Sequence, residues 1–266
     1  MDLQKVRATA ESIARDAGEV LMRHWMKPHT EVTKKNIYDI VTDGDKASEA
    51  VIVAALREAF PDHHIVSEEG GGTDLSAHEA DYYWYIDPID GTTNFAHNLP
   101  HFSISIALAG RDRVPLVGVV LNPVTGEMFS AARGHGATLG GEPIRVTNTP
   151  ALDQALLATG FSTDKQAALE AIAHWRAMIA RARDLRRLGS AALDLCYVAC
   201  GRLDGFWESD INGWDVQAGI LIVDEAGGKT SDYSGGTEKL YTGKEVLASN
   251  GHIHEAMLDV LRQPVR

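Results

Sequence analysis

Tyr82-Tyr83-Trp84-Tyr85-Ile86-Asp87-Pro88-Ile89-Asp90-Gly91-Thr92-Thr93-Asn94-Phe95 is the stretch on which fold and chemistry both turn. Residues 82–86 are aromatic and β-rich and predict a strand. The strand carries Asp87 and Asp90 to its C-terminal end and into a turn, where Gly91 lets the chain change direction sharply. Thr92 and Thr93 follow where a helix can start, with backbone N–H groups free to meet an anion. Carboxylates bind hard cations and helix N-termini bind phosphate, so one segment offers both halves of a metal-assisted phosphate site. Turns also favour Asp and Gly for local reasons, and the stretch alone does not decide between the two readings.

Three more segments bear on the choice. Asp39-Ile40-Val41-Thr42-Asp43-Gly44-Asp45 precedes a helix expected from about Lys46, and its acids suit Asx turns and an N-cap. Ile65-Val66-Ser67-Glu68-Glu69-Gly70-Gly71-Gly72 reads as a short strand ending in paired glutamates and a flexible glycine run. Trp214-Asp215-Val216-Gln217-Ala218-Gly219-Ile220 opens an apolar segment that runs to Val223 and closes at Gly227-Gly228, with Asp215 as a plausible N-cap.

Together these segments resemble, in order and spacing, the inositol monophosphatase family of Mg²⁺-dependent, lithium-sensitive phosphomonoesterases. The resemblance covers nearly the whole chain. Asp87 to Phe95 is similar to the central signature and Trp214-Asp215 to the C-terminal one. Arg187-Leu188-Gly189-Ser190-Ala191-Ala192-Leu193-Asp194-Leu195 is similar to the segment that packs beside the substrate ring, and residues 201–208 continue the match.

The resemblance implies an α/β fold, a layered αβαβα sandwich with mixed sheets. It also implies a single catalytic domain over 1–266, whose halves are about 1–148 and 149–266. It assigns Glu68, Asp87 and the carbonyl of Ile89 to a first metal, and Asp87, Asp90 and Asp215 to a second. A shared Asp87 would set the ions roughly 4 Å apart. Two to three Mg²⁺ are implied, with Mn²⁺ as a substitute and Ca²⁺ and Li⁺ as inhibitors. Glu68, Thr92 and Asp45 take the catalytic roles: Thr92 and Glu68 orient the attacking water or take its proton, and Asp45 partners the Thr92 hydroxyl. The N–H groups of Gly91 and Thr92 would grip phosphate, while Gly189, Ser190, Ala191, Glu208 and Asp215 would meet the substrate. Myo-inositol 1-phosphate is the implied substrate; relatives on the same core act on histidinol phosphate, fructose 1,6-bisphosphate or 3′-phosphoadenosine nucleotides. Gln217 replaces a small residue usual in the family and is expected to face helix packing. Residues 209–213, in a stretch variable across the family, are expected to help shape the pocket for the alcohol.

Composition sets the boundaries. The chain has 266 residues, 44% of them hydrophobic, which suits a globular α/β unit. Its apolar stretches are too short to span a bilayer, and Asp2, Lys5, Arg7, Glu11 and Arg15 interrupt any signal-peptide core, so a cytoplasmic protein with no membrane partner is expected. Cys196 and Cys200, the two cysteines, are spaced one helical turn apart and read as buried reduced thiols. A net charge of −12 argues against direct binding of nucleic acid. It also constrains mechanism: a phosphate dianion enters a carboxylate pocket only with cations between, and oxygen ligands favour Mg²⁺, Mn²⁺ or Ca²⁺.

The remaining pattern supplies the scaffold. Leu3, Val6, Ala10, Ile13, Ala17, Leu21 and Trp25 predict a long amphipathic helix, and Ala47, Val51 and Ala54 mark a second. Strands are expected at 104–109, 117–121 and 128–132, the last two joined by a turn at 122–127. Residues 148–150 read as the connection to a strand–helix–strand unit beginning at Ala155. A homodimer is expected from the resemblance, with apolar runs 104–109 and 156–161 as candidate edges. His63, His64, His252 and His254 read as exposed or capping, His97 and His101 as surface-loop residues, and Arg181, Arg183, Arg186 and Arg187 as a solvated helix face or an interface. Two other functions compete. One is a binding partner of the transcription machinery, independent of catalysis; the other is a two-carboxylate glycosidase, which needs no metal.

Overall fold

A strand whose residues are apolar on both sides is covered on both sides. Residues 104–109, apolar except for Ser105, behave this way. Ile104, Ile106 and Leu108 join one buried cluster, with Val6, Ala10, Ile13 and Leu21 of the first helix. Ala107 and Ala109 join another, with Leu193, Leu195, Ile220 and Ile222. Even and odd positions therefore serve different layers.

The computed structural model describes residues 1–27, 33–34, 40–70, 80–162 and 164–263. In chain order the helices are α1 (Leu3–His24), α2 (Asp43–Ala59), α3 (Thr92–Ala96), α4 (Lys165–Ile179), α5 (Ala191–Ala199), α6 (Gly213–Glu225) and α7 (His254–Leu261). The strands are β1 (Thr33–Lys34), β2 (Ile40–Val41), β3 (His64–Ser67), β4 (Tyr82–Asp90), β5 (Ser103–Gly110), β6 (Pro115–Asn122), β7 (Glu127–Ala132), β8 (Ala137–Leu139), β9 (Glu142–Pro143), β10 (Leu156–Thr159), β11 (Asp184–Arg186), β12 (Gly205–Ser209), β13 (Lys229–Ser231) and β14 (Glu245–Ser249). Strands β3 to β9 form a seven-stranded sheet in sequence order, antiparallel except for the β3–β4 pair. The second sheet has the order β11-β10-β12-β14-β13 and is also mixed.

The layers alternate as expected of an αβαβα sandwich. Helices α1 and α2 cover one face of the first sheet, α5 and α6 lie between the sheets, and α4 and α7 pack on the far side of the second. Gly118 lets α6 come down directly onto β6: a Cβ there would lie 2.7 Å from the Ala218 carbonyl oxygen and 2.9 Å from its Cα. Among the described residues no helix is long and apolar enough to cross a membrane.

Several expectations shift. Helix α2 starts at Asp43, not near Lys46, because Thr42 caps it and its hydroxyl accepts from Gly44 N. Its buried face is Ser48, Ile52 and Leu56 rather than Ala47, Val51 and Ala54. Strand β4 runs on through Asp90. Neither candidate dimer edge is an edge: β5 lies between β4 and β6, and β10 between β11 and β12. Gly71, Gly72 and Asp39 lie outside the described residues.

The α6–β6 contact yields a first expected outcome. Gly118→Ala forces α6 off the sheet and should cost about 1–3 kcal/mol, the range for overpacking a tight interior. A urea denaturation midpoint equal to that of the unmodified chain would contradict this packing.

Candidate active site

The pairing of β4 with β5 slips at one place. Asp87 lies opposite Ser105 and Asp90 opposite Ser103, so Pro88 and Ile89 together face Ile104. In an unbroken pleat, residues three apart point to opposite faces. The extra residue returns Asp90 to the face of Asp87. Pro88 has no N–H to lose where the ladder is interrupted. Ile89 N donates to the Asp87 carboxylate at 2.9 Å, and the Ser48 hydroxyl donates to the Pro88 carbonyl at 3.2 Å. The slip is thus held locally and by α2.

Two further acids line the same cavity. Ser67 of β3 pairs with Ile86, and Glu68 N donates to the Ile86 carbonyl, which sets Glu68 beside Asp87. Asp215 comes from the first turn of α6, where its Oδ2 accepts from Asn212 N at 2.7 Å. It is therefore the third helical residue, and Asn212 rather than Asp215 is the N-cap. Glu68, Asp87, Asp90 and Asp215 line one cavity of about 150 Å³ with Ile89, Gly91 and Thr92. That volume is small for a ligand site and suits a compact ester.

The opposite wall is the start of α5. The Asp90 carboxylate accepts from the Ser190 hydroxyl, from Ala192 N at 2.8 Å and from Ala191 N at 3.3 Å. Gly189, Ser190 and Ala191 line the cavity here. Gly91 has φ +96°, and a Cβ there would meet the Gly189 carbonyl at 2.9 Å, so both conformation and space require glycine. Asp45 stands behind this wall. It accepts from Thr42 N at 2.7 Å as part of the α2 capping box, and its other oxygen lies 3.2 Å from the Thr92 hydroxyl. The Thr92 hydroxyl also lies 2.9 Å from the Ile89 carbonyl. With one proton it serves one acceptor at a time.

Burial governs the electrostatics. It raises the Asp87 pKa well above the carboxylate range, and the charges of Glu68, Asp215 and Asp90 raise it further. Asp215 is pushed up by burial, then by Glu68 and Asp90. Asp90 rises to about 6, burial outweighing the Ser190 hydroxyl and the α5 amides that favour its anion. Asp45 rises to about 7, again mainly through burial. Such a cluster is neutralised either by protons or by cations. Among the described residues no three acidic, histidine or cysteine side chains are drawn around one point. The donor chemistry, carboxylates plus a carbonyl on one cavity, fits a hard divalent cation.

Gly160 is the lining group that the sequence does not mark, whereas the resemblance places Glu208, the 187–195 segment and Ile211 of 209–213 beside the substrate. Glu208 is buried, and its carboxylate occupies the space a Cβ on Gly160 would need, at 2.1–2.3 Å. Arg187, Asp194 and Ile211 also line the cavity. Position after a strand is the one local signal for Gly160; Arg187 carried a misleading one. Arg181, Arg183, Arg186 and Arg187 form no helix face, because α4 ends at Ile179 and Arg186 ends β11. His101 is no surface-loop residue: its Nε2 faces Asp194 at 3.8 Å. His254 is fully buried between the hydroxyls of Ser231 and Ser249, each 2.9 Å away. His63 accepts from Trp84 Nε1 at 3.1 Å. His97 and His252 are exposed. Gln217 is buried and donates to the Tyr241 carbonyl, a packing role as expected. Cys196 and Cys200 are free thiols, and burial raises both their pKa values.

Known proteins share this arrangement of chain and fold. The model of the inositol monophosphatase family matches residues 2–266. The chain is 43% identical over 266 residues to the Nus factor SuhB of Pseudomonas aeruginosa, covering 98% of this chain and 97% of that protein. The inositol monophosphatase from Anabaena (Nostoc) sp. PCC 7120 superposes with a TM-score of 0.87 at 41% identity, covering 98% and 96% of the two chains. The extragenic suppressor protein suhB from Bartonella henselae superposes with a TM-score of 0.90 at 34% identity, covering 98% and 100%.

The raised carboxyl pKa values have a consequence for stability. Asp45, Asp87, Asp90, Asp194, Glu208 and Asp215 hold protons more tightly folded than unfolded. Their contribution is complete below about pH 4, the unfolded value, and is lost as pH rises through the folded values. His63, His174 and His254 have lowered pKa values and act oppositely, but only below about 6.5. In a chelator the melting temperature should therefore fall between pH 6.5 and pH 8. A rise over that interval would contradict these assignments.

Proposed function

The chain belongs to the inositol monophosphatase family, and from that membership we propose that it hydrolyses phosphate monoesters with Mg²⁺ at this cavity, with myo-inositol 1-phosphate as substrate. One observation carries the reading. Glu68, Asp87, Asp90 and Asp215, drawn from separate parts of the chain, line one small cavity whose opposite wall is a helix N-terminus.

Glu68, Asp87, Asp90, Asp215 and the Ile89 carbonyl would hold the cations. When bound, Mg²⁺ would lower the pKa of a water and stabilise a leaving alkoxide. The chain's own groups do the rest. Thr92 and Glu68 orient the attacking water or take its proton. Asp45, at 3.2 Å from the Thr92 hydroxyl, is the acceptor for that hydroxyl's proton when the Ile89 carbonyl is engaged. The Gly91 and Thr92 amides, at the start of α3, would bind phosphate oxygens. Gly189, Ser190, Ala191 and Glu208 would border the alcohol. Mn²⁺ would substitute, and Ca²⁺ and Li⁺ would inhibit. Phosphate release from inositol, histidinol, sugar and nucleotide phosphates tests the reading. A chelator that leaves activity intact would favour the metal-free glycosidase class instead.

A second reading is favoured by the name Nus factor SuhB carried by relatives at 43–44% identity. In it the protein, in the cytoplasm, also binds the transcription machinery without using catalysis. A pull-down with an Asp87→Ala chain, inactive if the first reading holds, separates the two.

Two outcomes are expected. The first is metal-dependent stabilisation. Cations bind only the assembled site, so Mg²⁺ at a hundredfold excess over its dissociation constant should add about 2.7 kcal/mol. Ca²⁺ should stabilise as well while supporting little turnover. Equal shifts in the melting temperature of wild type and Asp87→Ala would place the ions elsewhere. The second is a homodimer. With both candidate strand edges interior, α4 groups three of the exposed large apolar residues: Leu169, Ile172 and Ile179 are 63%, 42% and 42% exposed. Light scattering should report twice the 28.8 kDa chain mass, and Leu169→Lys should lower it. A wild-type monomer at micromolar concentration would reject the dimer.

A further inference from the structure

The α5 wall of the cavity carries an acid that the chemistry above does not use. Asp194, in the first turn of α5, is 1% exposed and lines the cavity. Its Oδ1 has no hydrogen-bond partner among the described residues, and neither has Nε2 of His101, which faces it at 3.8 Å. That distance is too long for a hydrogen bond. An acid in a first helical turn ordinarily complements the helix dipole from the surface. This one is buried, and a second buried carboxylate, Glu208, lies on the same cavity and repels it. Arg187 and His101 are the cationic or donor groups beside the pair. Two acceptors on one wall favour a ligand that brings several O–H donors. An aryl or simple alkyl leaving group brings none.

We propose that Asp194 is a specificity-determining residue that accepts a hydrogen bond from a hydroxyl of the alcohol half of the substrate, with His101 as the positioning residue that holds the carboxylate. The assignment rests on the phosphatase reading of the cavity. A polyhydroxylated leaving group satisfies Asp194 and Glu208 together. An alcohol without hydroxyls leaves both buried acceptors unpaired, the circumstance in which polar sites discriminate strongly. Asp90, bonded to Ser190, Ala191 and Ala192, fixes the helix turn on which Asp194 stands.

The test is a ratio. kcat/KM is measured for myo-inositol 1-phosphate and for 4-nitrophenyl phosphate, with Mg²⁺, in wild type, Asp194→Ala, Asp194→Asn and His101→Ala. The ratio of the first substrate to the second should fall about tenfold or more in Asp194→Ala. It should fall less in Asp194→Asn, which keeps an acceptor oxygen, and in the same direction in His101→Ala. A uniform structural defect lowers both substrates together and leaves the ratio within twofold of wild type, and that result overturns the proposal. Should Asp194→Ala fail to fold, the isosteric Asp194→Asn decides by the same criterion. A wild type that releases phosphate from neither ester would sink the phosphatase reading and not this one. Calorimetry then decides: with Ca²⁺, the affinity for myo-inositol 1-phosphate relative to inorganic phosphate should drop at least tenfold in the Asp194 variants, and an unchanged relative affinity overturns the role of Asp194.

Discussion

The cavity depends on Asp87 and Asp90 being forced onto one face of β4. An uninterrupted strand would send them to opposite layers, one toward α1 and α2, the other toward α5 and α6. The two residues opposite Ile104 cancel that alternation. Once Asp90 faces inward, the amides of Ala191 and Ala192 and the hydroxyl of Ser190 close on its carboxylate across a hundred residues of chain. The start of α5 is thus tied to the end of β4, and the wall that would meet substrate is fixed by the same bonds. Asp45 and Asp215 also serve twice, each accepting the N-cap amide of its own helix while facing the site. The acids at this place are therefore helix caps as well as site walls. An amide in place of Asp90 would direct N–H against N–H, so its loss reaches the fold and not the site alone.

That economy has an electrostatic cost. Carboxylates gathered in a buried space cannot all be ionised together, and the raised pKa values of Asp87, Asp90 and Asp215 express it. Protons answer the repulsion at low pH, and divalent cations would answer it at neutral pH. Cations would also allow a phosphate dianion to enter a chain of net charge −12. Stability and ligand binding are linked through the same oxygens, since whatever neutralises them in the folded state alone favours folding.

The parts of the site that were legible in the sequence are those set by neighbours in the chain. Aromatic residues 82–86 make a strand, Asp-Pro-Ile-Asp gives the paired acids, and Gly91 with Thr92 and Thr93 gives a turn into α3. Glu68 and Asp215 were reached through family resemblance, because their own surroundings read equally well as a polar loop and a cap. What was illegible is long-range. Nothing near Gly160 says that a carboxylate from Glu208 needs its space. Nothing near His101 points to Asp194, ninety-three positions on. Arg187 follows a run of arginines that reads as solvated surface, yet the turn after β11 brings it to the cavity. His254 read as exposed or capping, and only the meeting of β13, β14 and α7 shows it as a buried tether between two serines.

If both proposed readings hold, catalysis and partner binding would use separate surfaces that share Arg187. The acids lie inside, where the first sheet meets the middle helices. The exposed apolar side chains of α4 lie outside, on the far face of the second sheet. Arg187 lines both the cavity and the neighbouring groove formed with Phe161, Leu169 and Ile172. An occupant of that groove, whether a second copy or another protein, therefore touches a side chain that also borders Asp194 and Glu208. Linkage requires the effect to run both ways: if the groove's occupant changes where the Arg187 guanidinium rests, a ligand in the cavity changes the occupant's affinity by the same factor. If Arg187 does not move, the two activities are independent, and either can be lost without the other.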